Sequence, residues 1–167
     1  MKKFLPLIML LMTAPLTARA DIHHRMTSSA ALQVDAASTS VTRQGNTFSI
    51  SGNNVTTTVA NATGTALGTT NIPTSAVTDV SGVMLLKNSV GTNTLGTDVK
   101  AYFTADNSAW TEAASYTDAG TFSTGIKMIK LGKTTCTSGS DVRWKVEFAN
   151  QAASSKVANI YGIGINY

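Results

Sequence analysis

His23 and His24 stand side by side near the start of the chain and are its only histidines; Cys136 is its only cysteine. A Ser-His-Asp or Cys-His site would have to bring that N-terminal stretch back to a nucleophile, and nothing in the spacing argues for it. HExxH pairs, phosphate-cradling glycine loops and paired metal-ligand cysteines are missing. Two carboxylates could still meet in space as a glycosidic pair. The residues therefore read as those of a non-enzymatic protein without a cofactor, with an exported hydrolase as the third alternative.

One metal arrangement is sharp. Cleavage after Ala20 would leave Asp21, Ile22 and His23 as a free terminus. Its amine, two backbone nitrogens and an imidazole in third position can wrap Cu(II) or Ni(II) in a square plane, the geometry those ions favour. The opposing reading is an N-terminal strand with two solvated histidines. Asp106-Asn107-Ser108 and Asp118-Ala119-Gly120 offer oxygens to Ca²⁺, but the same residue types are what hairpin turns demand. Trp110, Tyr102 and Tyr116 are the candidates for carbohydrate binding, because aromatic rings on a β face can stack on sugars; filling a core is the competing use. Cys136 reads either as an intermolecular bridge or nucleophile, or as an ordinary residue of the run Thr134 to Ser140.

The elements that must position these groups begin after a leader. Lys2 and Lys3, the apolar run Phe4 to Leu16 and Ala18-Arg19-Ala20 together have the order of a secretory signal peptide. The mature protein is expected to start at Asp21 and to work outside the cytoplasm, periplasmic or extracellular. The formal charge of +4 falls to +1 once the leader is removed, with ten basic residues against nine acidic ones. No basic cluster remains, which excludes nucleic acid and an anionic membrane as partners of the mature form. A lone cysteine allows no internal disulfide.

Ser and Thr account for 40 residues of the mature chain. β-Branched Thr favours strands and Ser turns, and no helical period appears, so the expectation is an all-β protein. The clearest strand is Asp141 to Asn150, where Val142, Trp144, Val146 and Phe148 alternate with Arg143, Lys145 and Glu147. Lys156 to Tyr167 is expected to be its hairpin partner, with Val157, Tyr161, Ile163, Ile165 and Tyr167 on one face and Gly162 and Gly164 on the other. Further strands are expected over Val83 to Asn88, Asp98 to Thr104 and Gly125 to Leu131. Shorter ones are expected over Ala30 to Ala36, Ser38 to Arg43, Thr47 to Ser51 and Val55 to Val59, with turns at Gly45-Asn46 and Gly52-Asn53. The Thr-, Ala- and Gly-rich stretch Asn61 to Asp79 reads as a loop or hinge. The arrangement predicted is a small N-terminal β-layer (21–60), the hinge (61–79) and an antiparallel, jelly-roll-like β-sandwich (80–167).

Two segments carry a family resemblance. One runs from Thr27 through Val41-Thr-Arg-Gln-Gly-Asn46 to Val55; the other runs from Ser140 to Lys156 and ends in Ile160-Tyr-Gly-Ile-Gly-Ile-Asn-Tyr167. They resemble small β-rich structural or fibre-like proteins encoded by tailed phages of marine bacteria, cyanophages especially. The resemblance implies a structural or adhesion role, a fibre- or decoration-like place on a virion, and a homo-oligomer, with a trimer as its fibre-like form. A leader is a departure from that family, since virion proteins assemble inside the host. A secreted carbohydrate-binding module, with a cell-surface glycan as partner, is the alternative.

Overall fold

Alternation of apolar and polar residues drives this chain into strands, and small residues decide how closely the strands approach. The structure is a computed structural model that describes residues 21–25, 32–34, 41–44, 54–57, 62–152 and 154–167. The leader at 1–20, the strand expected over Thr47 to Ser51 and the turns at Gly45-Asn46 and Gly52-Asn53 lie outside the described residues. Among the described residues there is no helix, and so none long and apolar enough to cross a membrane.

Among the described residues, twelve strands form two antiparallel sheets packed as a β-sandwich, as the sequence predicts. In chain order they are β1 (Asp21–Arg25), β2 (Leu32–Val34), β3 (Val41–Gln44), β4 (Asn54–Thr57), β5 (Ala62–Gly68) and β6 (Val77–Val90), then β7 (Val99–Thr104), β8 (Thr111–Glu112), β9 (Tyr116–Ser123), β10 (Ile126–Gly139), β11 (Arg143–Gln151) and β12 (Val157–Asn166). The seven-stranded sheet has the order β3-β4-β12-β6-β10-β9, with β1 also paired to β12; the five-stranded sheet has the order β2-β5-β11-β7-β8. The N-terminal strands pair into both sheets: β2 extends the five-stranded one, while β1, β3 and β4 flank β12 in the other.

β11 follows its alternation. Val142, Trp144, Val146 and Phe148 are buried, and with Phe103, Met84, Leu131, Ile160 and Ile165 they fill the space between the sheets. Each such side chain contributes about 1.5–3 kcal/mol when fully removed from water. Cys136, in β10, is one of these core residues.

Three expectations are corrected. β11 and β12 are not a hairpin pair. β11 pairs with β5 and β7, β12 pairs with β6, and the polar link between them crosses from one sheet to the other, closed by an Ala152–Lys156 bridge. The stretch Asn61 to Asp79 is not all loop, because 62–68 forms β5 beside β11. Its small residues are what the site requires: a Cβ at Gly68 would overlap the Trp144 indole. β12 does not keep one apolar face throughout, since Ala158 and Ile160 join the core and then Ile163 and Ile165 do. A register shift between Ile160 and Gly162 flips the parity at Tyr161.

Candidate functional site on the outer face of the five-stranded sheet

The residues of β11 that alternate with its core side chains point to the outer face of the five-stranded sheet. Lys145 lies opposite Leu67 of β5 and Tyr102 of β7, and Tyr102 lies opposite Glu112 of β8. One step along, Glu147 lies between Thr65 and Lys100. Direct cross-strand neighbours of this kind bring side chains within interaction distance.

Trp110 reaches the same face from a loop. The Asp106 carboxylate accepts the backbone N–H groups of Ser108 and Ala109, each at 2.9 Å, and the Thr104 hydroxyl at 2.9 Å. Asn107 takes a positive φ of 54° within this turn, a conformation Asn tolerates. The loop so folded sets the Trp110 ring beside β11. Lys145 Nζ then lies 4.5 Å from the Tyr102 ring centroid, 5.1 Å from that of Trp110 and 2.7 Å from Glu147 Oε1. Arg143 holds Asp141 with both Nε and Nη2, at 2.9 and 3.0 Å.

Arg143, Lys145 and Glu147 lie on this outer face and are each partly exposed. The Lys145 side chain is 17% exposed, its ammonium lying over the Tyr102 and Trp110 rings. Burial, followed by the hydrogen-bonded Glu147 carboxylate and then the charges of Glu147 and Glu112, pushes the Tyr102 phenol up to about 12. Beside this cluster lies a groove of about 290 Å³ lined by Thr63, Thr65, Thr97, Lys100 and Glu147. An ammonium, a carboxylate and threonine hydroxyls thus line the groove, with the two rings beside it. Such a set can hydrogen-bond a polyhydroxylated ligand while the rings give it an apolar wall.

Trp110 and Tyr102, two of the three aromatic candidates, are brought together here. Tyr116 is not with them. Its hydroxyl accepts from the Ala101 N–H at 2.8 Å and donates to Glu112 Oε1 at 3.1 Å, and its ring packs on the core. Burial first, and the Glu112 carboxylate after it, raises its pKa. Tyr116 is a clasp between the sheets. Sequence reasoning missed Lys145, Glu147 and Lys100; the signal for the first two was the charged face of β11, which the alternation alone reads as a solvated surface.

The metal candidates fare differently. Asp21, Ile22 and His23 belong to β1, with Asp21 opposite Asn166 and His23 opposite Gly164. A square-planar chelate uses the Ile22 and His23 backbone nitrogens, so it competes with the ladder for that backbone. Asp106 spends its carboxylate on the loop that carries Trp110. Asp118 lies within β9 instead of at a hairpin turn, accepting the Gly120 N–H and pairing with Lys127; the β9–β10 turn is Thr124-Gly125, with Gly125 at positive φ. Among the described residues, no three His, Cys, Asp or Glu side chains cluster as metal ligands. The Cys136 thiol is pushed up to about 11, by burial first and then by the charges of Asp106 and Asp79, which disfavours the reactive thiolate.

Over residues 8–143, more than four-fifths of its length, the chain matches the family described as "Family of unknown function (DUF6322)", and it belongs to that family. No curated protein and no solved structure matches it. The family match begins inside the apolar run Phe4 to Leu16 and ends one residue before Trp144.

Proposed function

We propose that this protein is a non-enzymatic adhesion-type β-sandwich, exported or carried on a virion, that holds a glycan on the outer face of its five-stranded sheet. The observation that carries this reading is the Tyr102–Lys145–Trp110 cluster, with Glu147 paired to the lysine and a hydroxyl-lined groove alongside. Sugar recognition needs hydrogen-bond donors and acceptors beside an apolar wall, and these residues supply both, Tyr102, Lys145 and Glu147 from strands and Trp110 from a loop. Export is supported by the order of the leader, and fibre-like assembly by the resemblance to marine phage proteins. The chain is proposed to act as a homo-oligomer, which would multiply weak glycan contacts into avidity.

A glycan array probed with the exported protein tests the reading. Binding to a defined set of glycans that Trp110→Ala and Tyr102→Ala each weaken by about tenfold or more would support it. Binding that both variants leave unchanged, or no binding to any glycan, would overturn the glycan assignment and leave a purely structural role.

A further inference from the structure

We propose that a second groove, on the outer face of the seven-stranded sheet, binds an oxyanion substituent of a polysaccharide, sulfate or carboxylate. It shares no residue with the five-stranded face, so its success or failure is separable from that reading.

The groove arises from a break in pairing. Between β10 and β6 the register passes from Leu131 opposite Gly82 directly to Thr134 opposite Val80. Gly132 and Lys133 thus bulge out opposite the single residue Ser81. A Cβ at Gly132 would overlap Ser115, and the Gly132 N–H donates to the Ser115 carbonyl at 2.9 Å, so the bulge is drawn onto the start of β9. The resulting cavity, about 460 Å³, has room for a sugar residue and its substituent.

Its lining suits an anion. Ser81, Ser115, Thr117 and Asn166 offer hydroxyl and amide donors. Lys133 contributes a cation that is already matched: Asp79 pairs with it at 3.0 Å and also accepts from the Thr135 hydroxyl at 3.0 Å. Lys130 is different. It lies between Val83 of β6 and Thr117 of β9, its side chain exposed, and among the described residues no carboxylate pairs with it. The one carboxylate of the lining, Asp79, is held by Lys133, so Lys130 stands unmatched among the neutral donors and is a charge complement for an oxyanion; charge-assisted hydrogen bonds are about twice as strong as neutral ones. A neutral sugar would leave that charge unused.

The test titrates the exported protein with dextran sulfate, polygalacturonate and neutral dextran at constant ionic strength, and follows backbone amide shifts in a parallel titration with sodium sulfate. Binding to one or both charged polymers but not to dextran is expected, with the two arms telling a sulfate from a carboxylate ligand. Sulfate should shift the amides of Lys130, Gly132 and Ser81 ahead of those near other lysines. Lys130→Gln should weaken polymer binding about tenfold, Lys130→Arg should restore it, and Trp110→Ala should leave it intact. Equal binding of dextran, shifts spread evenly over all lysines, or an unaffected Lys130→Gln would each overturn the proposal.

Discussion

Two lysine–carboxylate pairs of the same chemistry sit in different places and do different work. Lys156 and Asp98, 2.9 Å apart, lie at one end of the sandwich, where the Asp98 side chain is only 2% exposed. Lys145 and Glu147, 2.7 Å apart, lie on the outer sheet face, where the glutamate is 36% exposed. Asp98 also accepts the Thr94 N–H at 2.8 Å and the Asn150 side chain at 3.0 Å. Nearby, fully buried Gln151 bonds Asn93 at 2.7 Å and accepts the Ala158 N–H at 2.8 Å. Every partner there is another part of the fold, and the network ties the loop before β7 to the link between the sheets. The outer pair leaves Glu147 and its neighbours open to an incoming molecule. Burial with full satisfaction makes a lock; partial exposure makes a site.

The comparison can be broken from either side. Trp144→Ala, which hollows the core between the sheets, sets the scale at about 3–5 kcal/mol in urea unfolding. Asp98→Ala should approach it, at about 3 kcal/mol, because it orphans the Thr94 amide and Asn150 and leaves Lys156 unpaired in a half-buried setting. Acid offers the same test without mutation. Burial by itself would raise Asp98, but the Thr94 amide, Lys156 and Asn150 overcome it and hold the carboxyl at about 2. The folded state therefore binds fewer protons than the unfolded one, whose carboxyl has its ordinary value of 3.8. The stability this contributes, about 2 kcal/mol by linkage, is complete above about pH 4 and lost as the pH falls through about 2. Urea melts across that window should show the loss, and Asp98→Asn should flatten it.

On the outer face the effects are smaller. Lys145→Ala should cost under about 1 kcal/mol, since a partly exposed ion pair and its ring contacts are worth little to folding, while the glycan binding proposed for this face should fall by a larger factor. The finest probe is spectroscopic. Glu147→Gln removes a charge that raises the Tyr102 phenol, so ultraviolet titration should find that phenol below about 12 but still above its ordinary value of 10.0, because burial remains. A Tyr102 pKa unmoved by this change would mean that the two side chains do not meet.

What was legible in the sequence follows the range over which the physics acts. The β11 alternation is a local pattern imposed by one buried face, and Trp144, Val146 and Phe148 obey it. The partner of β11 was not legible, because a short polar link serves a hairpin and a crossing between sheets equally well; the choice is made by β5 and β7, distant in sequence. β5 itself reads as a loop, since Ala, Thr and Gly carry no apolar signal, and its need for small residues becomes visible only when Gly68 meets Trp144. At the site, Tyr102 and Trp110 could be picked out by residue type. Their meeting over Lys145 depends on the Asp106 turn and on the β11–β7 register, which no local pattern announces.

The position of β12 has a consequence for how the chain reaches this state. β12 comes last in chain order, yet it lies inside the seven-stranded sheet, with β6 on one side and β1 and β4 on the other. β6, β10 and β9 can pair before it, but β1 and the β3–β4 pair can join them only through β12. Completing the sheet therefore depends on partners far apart in sequence, the regime of slow folding. The edges that β1 and β4 offer to β12 stay open until that strand is in place.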